Sequence, residues 1–182
     1  MSAVKACIFG SLSAAAVLIA GCATSPTLGT PAAPAALRPP ANQVLVLGAR
    51  AVGVQIYECA ASRDQPGRFE WVFKSPEADL FDDTGRKVGK HYAGPTWEAL
   101  DGSKVVGEVK ARDDGPDPKA IPWLLLSAKS TAGNGVLNQI KSIQRLQTVD
   151  GKAPSTACSA ANAQQVARVP YQANYYFYAA RS

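Results

Sequence analysis

The sequence predicts an all-β domain, a single antiparallel sandwich or barrel of about 8–10 short strands with at most one short helix. Three observations predict it. Apolar and polar residues alternate in short runs, as in Val52-Gly-Val-Gln-Ile-Tyr-Glu-Cys59 and Phe69-Glu-Trp-Val-Phe73. Turn residues punctuate these runs roughly every 8–12 residues. Helical periodicity is nearly absent. Val136–Val149 is the one ambiguous stretch, with Leu137, Ile140, Ile143 and Leu146 at helical spacing, and we read its second half as a strand ending at Asp150-Gly151.

Three regions follow in order: residues 1–21, 22–43 and 44–182. Residues 1–21 read as a signal peptide. The apolar run Ala14–Ala20 is too short to cross a bilayer, which takes about 20 apolar residues. It leads into Leu18-Ile19-Ala20-Gly21-Cys22, which resembles a bacterial lipobox. The resemblance implies cleavage after Gly21, an acylated Cys22 (a palmitate-labelled lipoprotein) and the membrane as a partner through that anchor. Ala23 is not an aspartate, so an inner-membrane retention signal is absent and the outer membrane, facing the periplasm, is the expected destination. The alternative is an ordinary signal peptide with an incidental cysteine. Residues 22–43 are a proline- and alanine-rich tether that favours extended polyproline II.

In the β domain from Val44 the expected strands follow one another. Val44–Leu47 is a short apolar run. Val52, Val54, Ile56 and Glu58 then share one face, while Gln55, Tyr57 and Cys59 share the other. Phe69–Phe73 is broken by Ser75-Pro76 and followed by Ala78–Phe81, a turn at Asp82–Gly85, and Arg86–Tyr92. Gly94-Pro95 punctuates before Thr96–Leu100. Asp101-Gly102 is a hairpin signal, because glycine accepts positive φ and aspartate tolerates it, and it leads into Lys104–Lys110. After the turn-rich Asp113–Pro118, the run Pro122–Lys129 is nearly continuously apolar, so both of its faces are expected to be covered. Ser159–Ala167 has room for a short helical turn. Tyr171–Tyr178 is an aromatic final strand, with Tyr175 and Phe177 on one face and Tyr176 and Tyr178 on the other.

The formal charge is +5 with a pI near 9.1, and the basic residues are scattered, which argues against a nucleic-acid partner. Of four cysteines, Cys7 leaves with the signal and Cys22 is the acylation site, which leaves Cys59 and Cys158. In an oxidising envelope the default for this pair is a disulfide; free thiols or metal ligation are the alternatives, and neither cysteine has metal-type partners at short spacing.

Lys90–Val109 holds the only histidine, His91. With Tyr92, Trp97, Glu98 and Glu108 it is the expected edge of a cleft for an unknown small-molecule or envelope ligand. Consecutive strands would let His91 and Glu98 face each other, with Glu108 joining from the next strand. That set suits an acid–base or metal-dependent hydrolase, for which His91, Glu98 and Glu108 are the catalytic candidates. The bland reading is a histidine beside a turn with both glutamates solvated or paired to lysines, and it is the one we favour. Trp71, Trp97, Trp123 and the Tyr175–Tyr178 run either line a concave site or build core. Asp113, Asp114 and Asp117 lack the spacing of a calcium loop, and no nucleophile elbow or phosphate loop is present. No cofactor and no resident metal are expected. The leading class is a non-enzymatic binding or structural module.

The motifs V-Q-I-Y-E-C at 54–59, G-K-H-Y-A-G-P-T-W-E at 89–98, I-P-W-L-L-L at 121–126, I-Q-R-L-Q-T at 143–148 and Y-Q-A-N-Y-Y-F-Y at 171–178 together resemble a family of exported bacterial and fungal proteins catalogued as a domain of unknown function. The resemblance spans Val44 to Tyr178. It implies an exported single domain with a cysteine pair and carries no catalytic residues. Some fungal members bear a dehydrogenase label, which the absence of a βαβ pattern and of a glycine-rich phosphate turn does not support here.

Overall fold

The structure, a computed structural model, describes residues 31–181. The expected signal peptide, the acylation site Cys22 and the first part of the tether lie outside the described residues.

Eight antiparallel strands close into one up-and-down barrel in which every neighbour in sequence is a neighbour in space. They are β1 (Gln43–Ala61), β2 (Phe69–Phe81), β3 (Lys87–Tyr92), β4 (Thr96–Ala99), β5 (Lys104–Asp113), β6 (Trp123–Ala132), β7 (Ile140–Asp150) and β8 (Val166–Ala180). Closure removes the free edges that an open sheet would expose. The Ser159–Ala167 expectation is met by a single 3-10 turn at Ala160–Asn162, and the ambiguous Val136–Val149 stretch supplies β7.

Two expected breaks are absorbed into long strands. Val44–Leu47 and Val52–Cys59 belong to one strand, because β8 pairs with β1 from Gln43 to Glu58 across Gly48–Ala51. Ser75-Pro76 does not end β2. The register slips there, between Ile56 and Tyr57 of β1, and β3 pairs with β2 only from Ala78 onward. Pro76 therefore sits beside a bulge on a stretch with one ladder neighbour, where a missing N–H is tolerated.

The barrel has a packed end and an open end. At the packed end Leu80, Val105, Leu137, Ile140 and Phe177 form one buried cluster, with Leu137 contributed by the β6–β7 connection. That connection is pinned by the β4–β5 turn: Asp101 accepts from the Val136 N–H at 2.8 Å and Ser103 Oγ accepts from the Leu137 N–H at 3.1 Å. Gly102 takes φ +83° in this turn, as its hairpin role requires. At the open end lie the β1–β2, β3–β4, β5–β6 and β7–β8 connections. The Cys59–Cys158 disulfide fastens the end of β1 to the β7–β8 connection there.

The last part of the expected tether is part of the folded unit. Ala35–Leu37 forms a 3-10 turn lying against β5 and β6, and Leu37 is wholly buried. Gln144 donates to the Leu37 carbonyl and Tyr178 donates to Gln144, so this strap covers outward-facing residues of β7 and β8. A lone leucine among prolines and alanines has no periodicity to announce it. The strap also supplies part of the outer cover expected for the Pro122–Lys129 run. Elsewhere the outer wall carries ion pairs, among them Lys87–Asp79, Arg168–Glu77 and the Lys90–Glu98–Lys104 group.

Candidate functional site

The expected cleft residues are divided between the two faces of the barrel wall. The β3–β4 register sets His91 opposite Trp97 and Lys90 opposite Glu98. Side chains alternate across a strand. His91 and Trp97 therefore point inward, whereas Tyr92 and Glu98 point outward. The expectation that His91 and Glu98 face each other is corrected by this one-residue parity. On the outer face Tyr92 donates to Glu98 at 2.8 Å, and Lys104 and Lys90 reach the same carboxylate at 3.2 and 3.6 Å. The Tyr92 hydrogen bond and then the lysines hold the Glu98 carboxyl below its ordinary range. Glu108 is exposed and paired with Lys110 at 2.6 Å, so it joins neither group.

Inside, His91 is 2% exposed. Its Nδ1–H donates to the Thr96 carbonyl at 2.8 Å, since a carbonyl oxygen can only accept. The ring stacks on Trp97 at 4.4 Å and meets the edge of Tyr175 at 5.1 Å. Burial in this aromatic cage, offset in part by the Thr96 bond and reinforced by the Arg145 charge, lowers the imidazole pKa to about 3. His91 is thus neutral at pH 7 and a weak proton acceptor, far from the value that suits a general base.

Trp97 needs room that only a glycine leaves. A Cβ on Gly107 would lie 2.9 Å from Trp97 Cζ3 and 3.0 Å from Leu126 Cδ2, so the benzo edge of the indole fills the space of a missing side chain on β5. Above the packed end, Trp97, Tyr175 and His91 form the floor of an open cavity of about 660 Å³ that is also lined by Gly94 and Pro95 of the β3–β4 turn and by Ile121 and Pro122 of the β5–β6 connection. Tyr57, Phe73, Leu124 and Leu126 line its apolar wall, and Gln55, Lys74, Arg112 and Arg145 are its further polar members. Among the described residues no aspartate or glutamate lines it. Its size is that of a small-molecule site, and an eight-stranded barrel has an interior suited to one small ligand.

Of the aromatics expected to line a concave site, Trp97 and Tyr175 do so. Trp71 instead donates to the Thr156 carbonyl at 2.9 Å, and Trp123 packs over Gly115. Phe177 is core and Tyr178 lies under the strap. The loop aspartates are spent locally: Asp113 and Asp117 accept backbone N–H groups two residues on, and Asp114 pairs with Arg112 at 2.8 Å. Among the described residues no three His, Cys, Asp or Glu side chains are grouped so as to share a metal ion.

Sequence reasoning missed Arg145 and Gln55. The signal was present as parity: Arg145 shares a face with the core residue Ile143, and Gln55 shares one with Tyr57 and Cys59. A polar residue at a core parity position marks either an error of register or a lined cavity.

Fold and cavity together define a closed eight-stranded antiparallel barrel with an aromatic-floored cavity at one end. The chain belongs to the family described as protein of unknown function (DUF3455), whose model matches residues 39–179. No curated protein and no solved structure matches it.

Proposed function

We propose that this protein is a lipid-anchored envelope module that binds a small molecule in the barrel cavity, without turning it over. The open, aromatic-floored cavity carries the reading. A barrel built only for stability would fill its interior at both ends, as the packed end does. The anchor rests on the lipobox-like Leu18–Cys22, and the Cys59–Cys158 disulfide suits an oxidising compartment. The chain enters β1 at the packed end, so an anchored domain would present its cavity away from the point where the chain joins it. The alternative, a hydrolase or metal-dependent enzyme using His91 with Glu98, loses support from their placement on opposite faces and from the neutrality of His91.

Two measurements test the proposal. Labelled palmitate is expected on the wild-type chain and absent from Cys22→Ala; an unlabelled wild-type product defeats the anchor. Native mass spectrometry of protein extracted from its own envelope is expected to show a small-molecule adduct that disappears when Leu124→Trp fills the cavity. An adduct unaffected by that substitution places the ligand elsewhere.

A further inference from the structure

Three features of the cavity concern charge and hydrogen bonding. First, its charged lining is of one sign. Lys74, Arg112 and Arg145 reach it and, among the described residues, no carboxylate does. Lys74 is committed to Glu58 at 3.3 Å and Arg112 to Asp114. Arg145 forms no ion pair among the described residues. Its Nε–H donates to the Pro122 carbonyl at 3.0 Å, which orients the guanidinium, and the Tyr175 hydroxyl lies beside it. Arg145 lies on β7 directly across from Tyr175 of β8 and Leu124 of β6, so its charge sits between an aromatic and an apolar wall.

Second, three side chains that line the cavity carry buried polar atoms without a hydrogen bond of good geometry: Gln55 Nε2, Trp97 Nε1 and the Tyr175 hydroxyl. These residues are 2%, 1% and 1% exposed. The Tyr175 hydroxyl lies within reach of Arg145 and Tyr171. The indole and amide N–H groups are the unmet donors, and a buried donor costs free energy until it finds an acceptor.

Third, two of the cavity's other polar groups are already used. The Tyr57 hydroxyl donates to the Gly151 carbonyl at 2.7 Å, and His91 Nδ1 is taken by Thr96.

An unpaired guanidinium, a set of unmet donors and an apolar wall match a ligand with one anionic, acceptor-only group on an apolar body. A carboxylate has that chemistry: two acceptor oxygens and one negative charge, which suits planar recognition by arginine. A phosphate dianion would call for more than the single uncommitted cation this cavity supplies. We propose that the barrel cavity selects small aromatic or otherwise apolar carboxylates, with the carboxylate on Arg145 beside the Tyr175 hydroxyl and the apolar body against Trp97, Phe73 and Leu126. This inference rests on the reading of the cavity as a ligand site and adds the class of ligand.

Isothermal titration of the full chain tests it with matched pairs: indole-3-acetate against indole-3-acetamide, and 1-naphthoate against 1-naphthamide, with phenyl phosphate against benzoate as a third comparison. At least one carboxylate is expected to bind ten or more times tighter than its amide. Arg145→Gln is expected to cost that carboxylate at least tenfold in affinity and to leave the amide within about threefold, the range set by a charged hydrogen bond. Tyr175→Phe keeps the ring and removes only the hydroxyl beside Arg145; it is expected to weaken the same carboxylate severalfold while the thermal melt changes little. An amide that binds as tightly as its carboxylate overturns the charge selectivity and leaves the ligand-binding reading standing. Phenyl phosphate binding tighter than benzoate overturns the carboxylate assignment. If neither member of any pair binds, this inference falls, while the native-mass adduct and its loss in Leu124→Trp decide the ligand-binding reading separately.

Discussion

The imidazole of His91 stands between Thr96, Trp97 and Tyr175, and that surrounding sets its charge. Its native pKa of about 3 lies below the ordinary 6.5. The unfolded chain therefore takes up a proton at a pH where the native state does not. The stability that follows is fully present above pH 6.5 and is lost progressively as pH falls toward 3. Each unit is worth about 1.4 kcal/mol, so roughly 2 kcal/mol should go between pH 6.5 and 5. The carboxyls held below their ordinary values, Asp82, Glu98, Asp101, Glu108 and Asp114, add their loss only at lower pH. Urea midpoints measured from pH 7.5 to 5 should fall for the wild type and stay flat for His91→Phe, which keeps the stacking on Trp97. Parallel slopes in the two proteins would show that His91 is accessible and titrates normally.

At the scale of the element, β1 shows how a pattern can be clear and its direction hidden. Val52, Val54 and Ile56 make one face of this strand and Gln55, Tyr57 and Cys59 the other. The more apolar face is the outer one: Val52 is 38% exposed, while Gln55 is 2% exposed and Cys59 fully buried. Period-2 alternation specifies that two faces exist, and neighbouring strands decide which is inside. The strap at Ala35–Leu37 teaches the complementary lesson, since one buried leucine and two side-chain hydrogen bonds fold a segment that composition assigns to an extended spacer. Leu37→Ala should cost about 2–3 kcal/mol, the range for a core leucine at a site that can partly collapse, read as a lowered urea midpoint. A change under about 0.5 kcal/mol would mean that the strap is only loosely held.

At the scale of the molecule, closure depends on β1 meeting β8 over nearly their full lengths, which joins the two ends of the domain. The Cys59–Cys158 bridge closes a loop of separation 99 at the open end. In the chain-entropy model such a loop is worth roughly 4–5 kcal/mol, through restriction of the unfolded chain. Cys59→Ala/Cys158→Ala should lose stability of that order in urea and should loosen the cavity mouth first, because the bridge ties β1 beside Gln55 and Tyr57. Equal stability with and without the bridge would indicate an unfolded state already held together by other contacts.

Much of this was legible in the residues. Alternation and turn chemistry determine the all-β class, the turns at Asp82–Gly85, Gly94-Pro95 and Asp101-Gly102, and the aromatic final strand with its two faces, because these are local properties of a few consecutive residues. Cysteine usage points to the disulfide, since Cys59 and Cys158 are the pair left once the cysteines of the expected signal and acylation site are set aside. The tertiary structure alone decided closure into a barrel, the merging of runs across Gly48–Ala51 and across Ser75-Pro76, and the parity that sends His91 inward and Glu98 outward. It alone brought Gln55, Trp97, Arg145 and Tyr175 into one cavity. Their positions in the chain span 120 residues, from Gln55 to Tyr175, and no local pattern encodes which strands become neighbours; long-range pairing does, and a one-residue choice of register there moves every side chain to the opposite face.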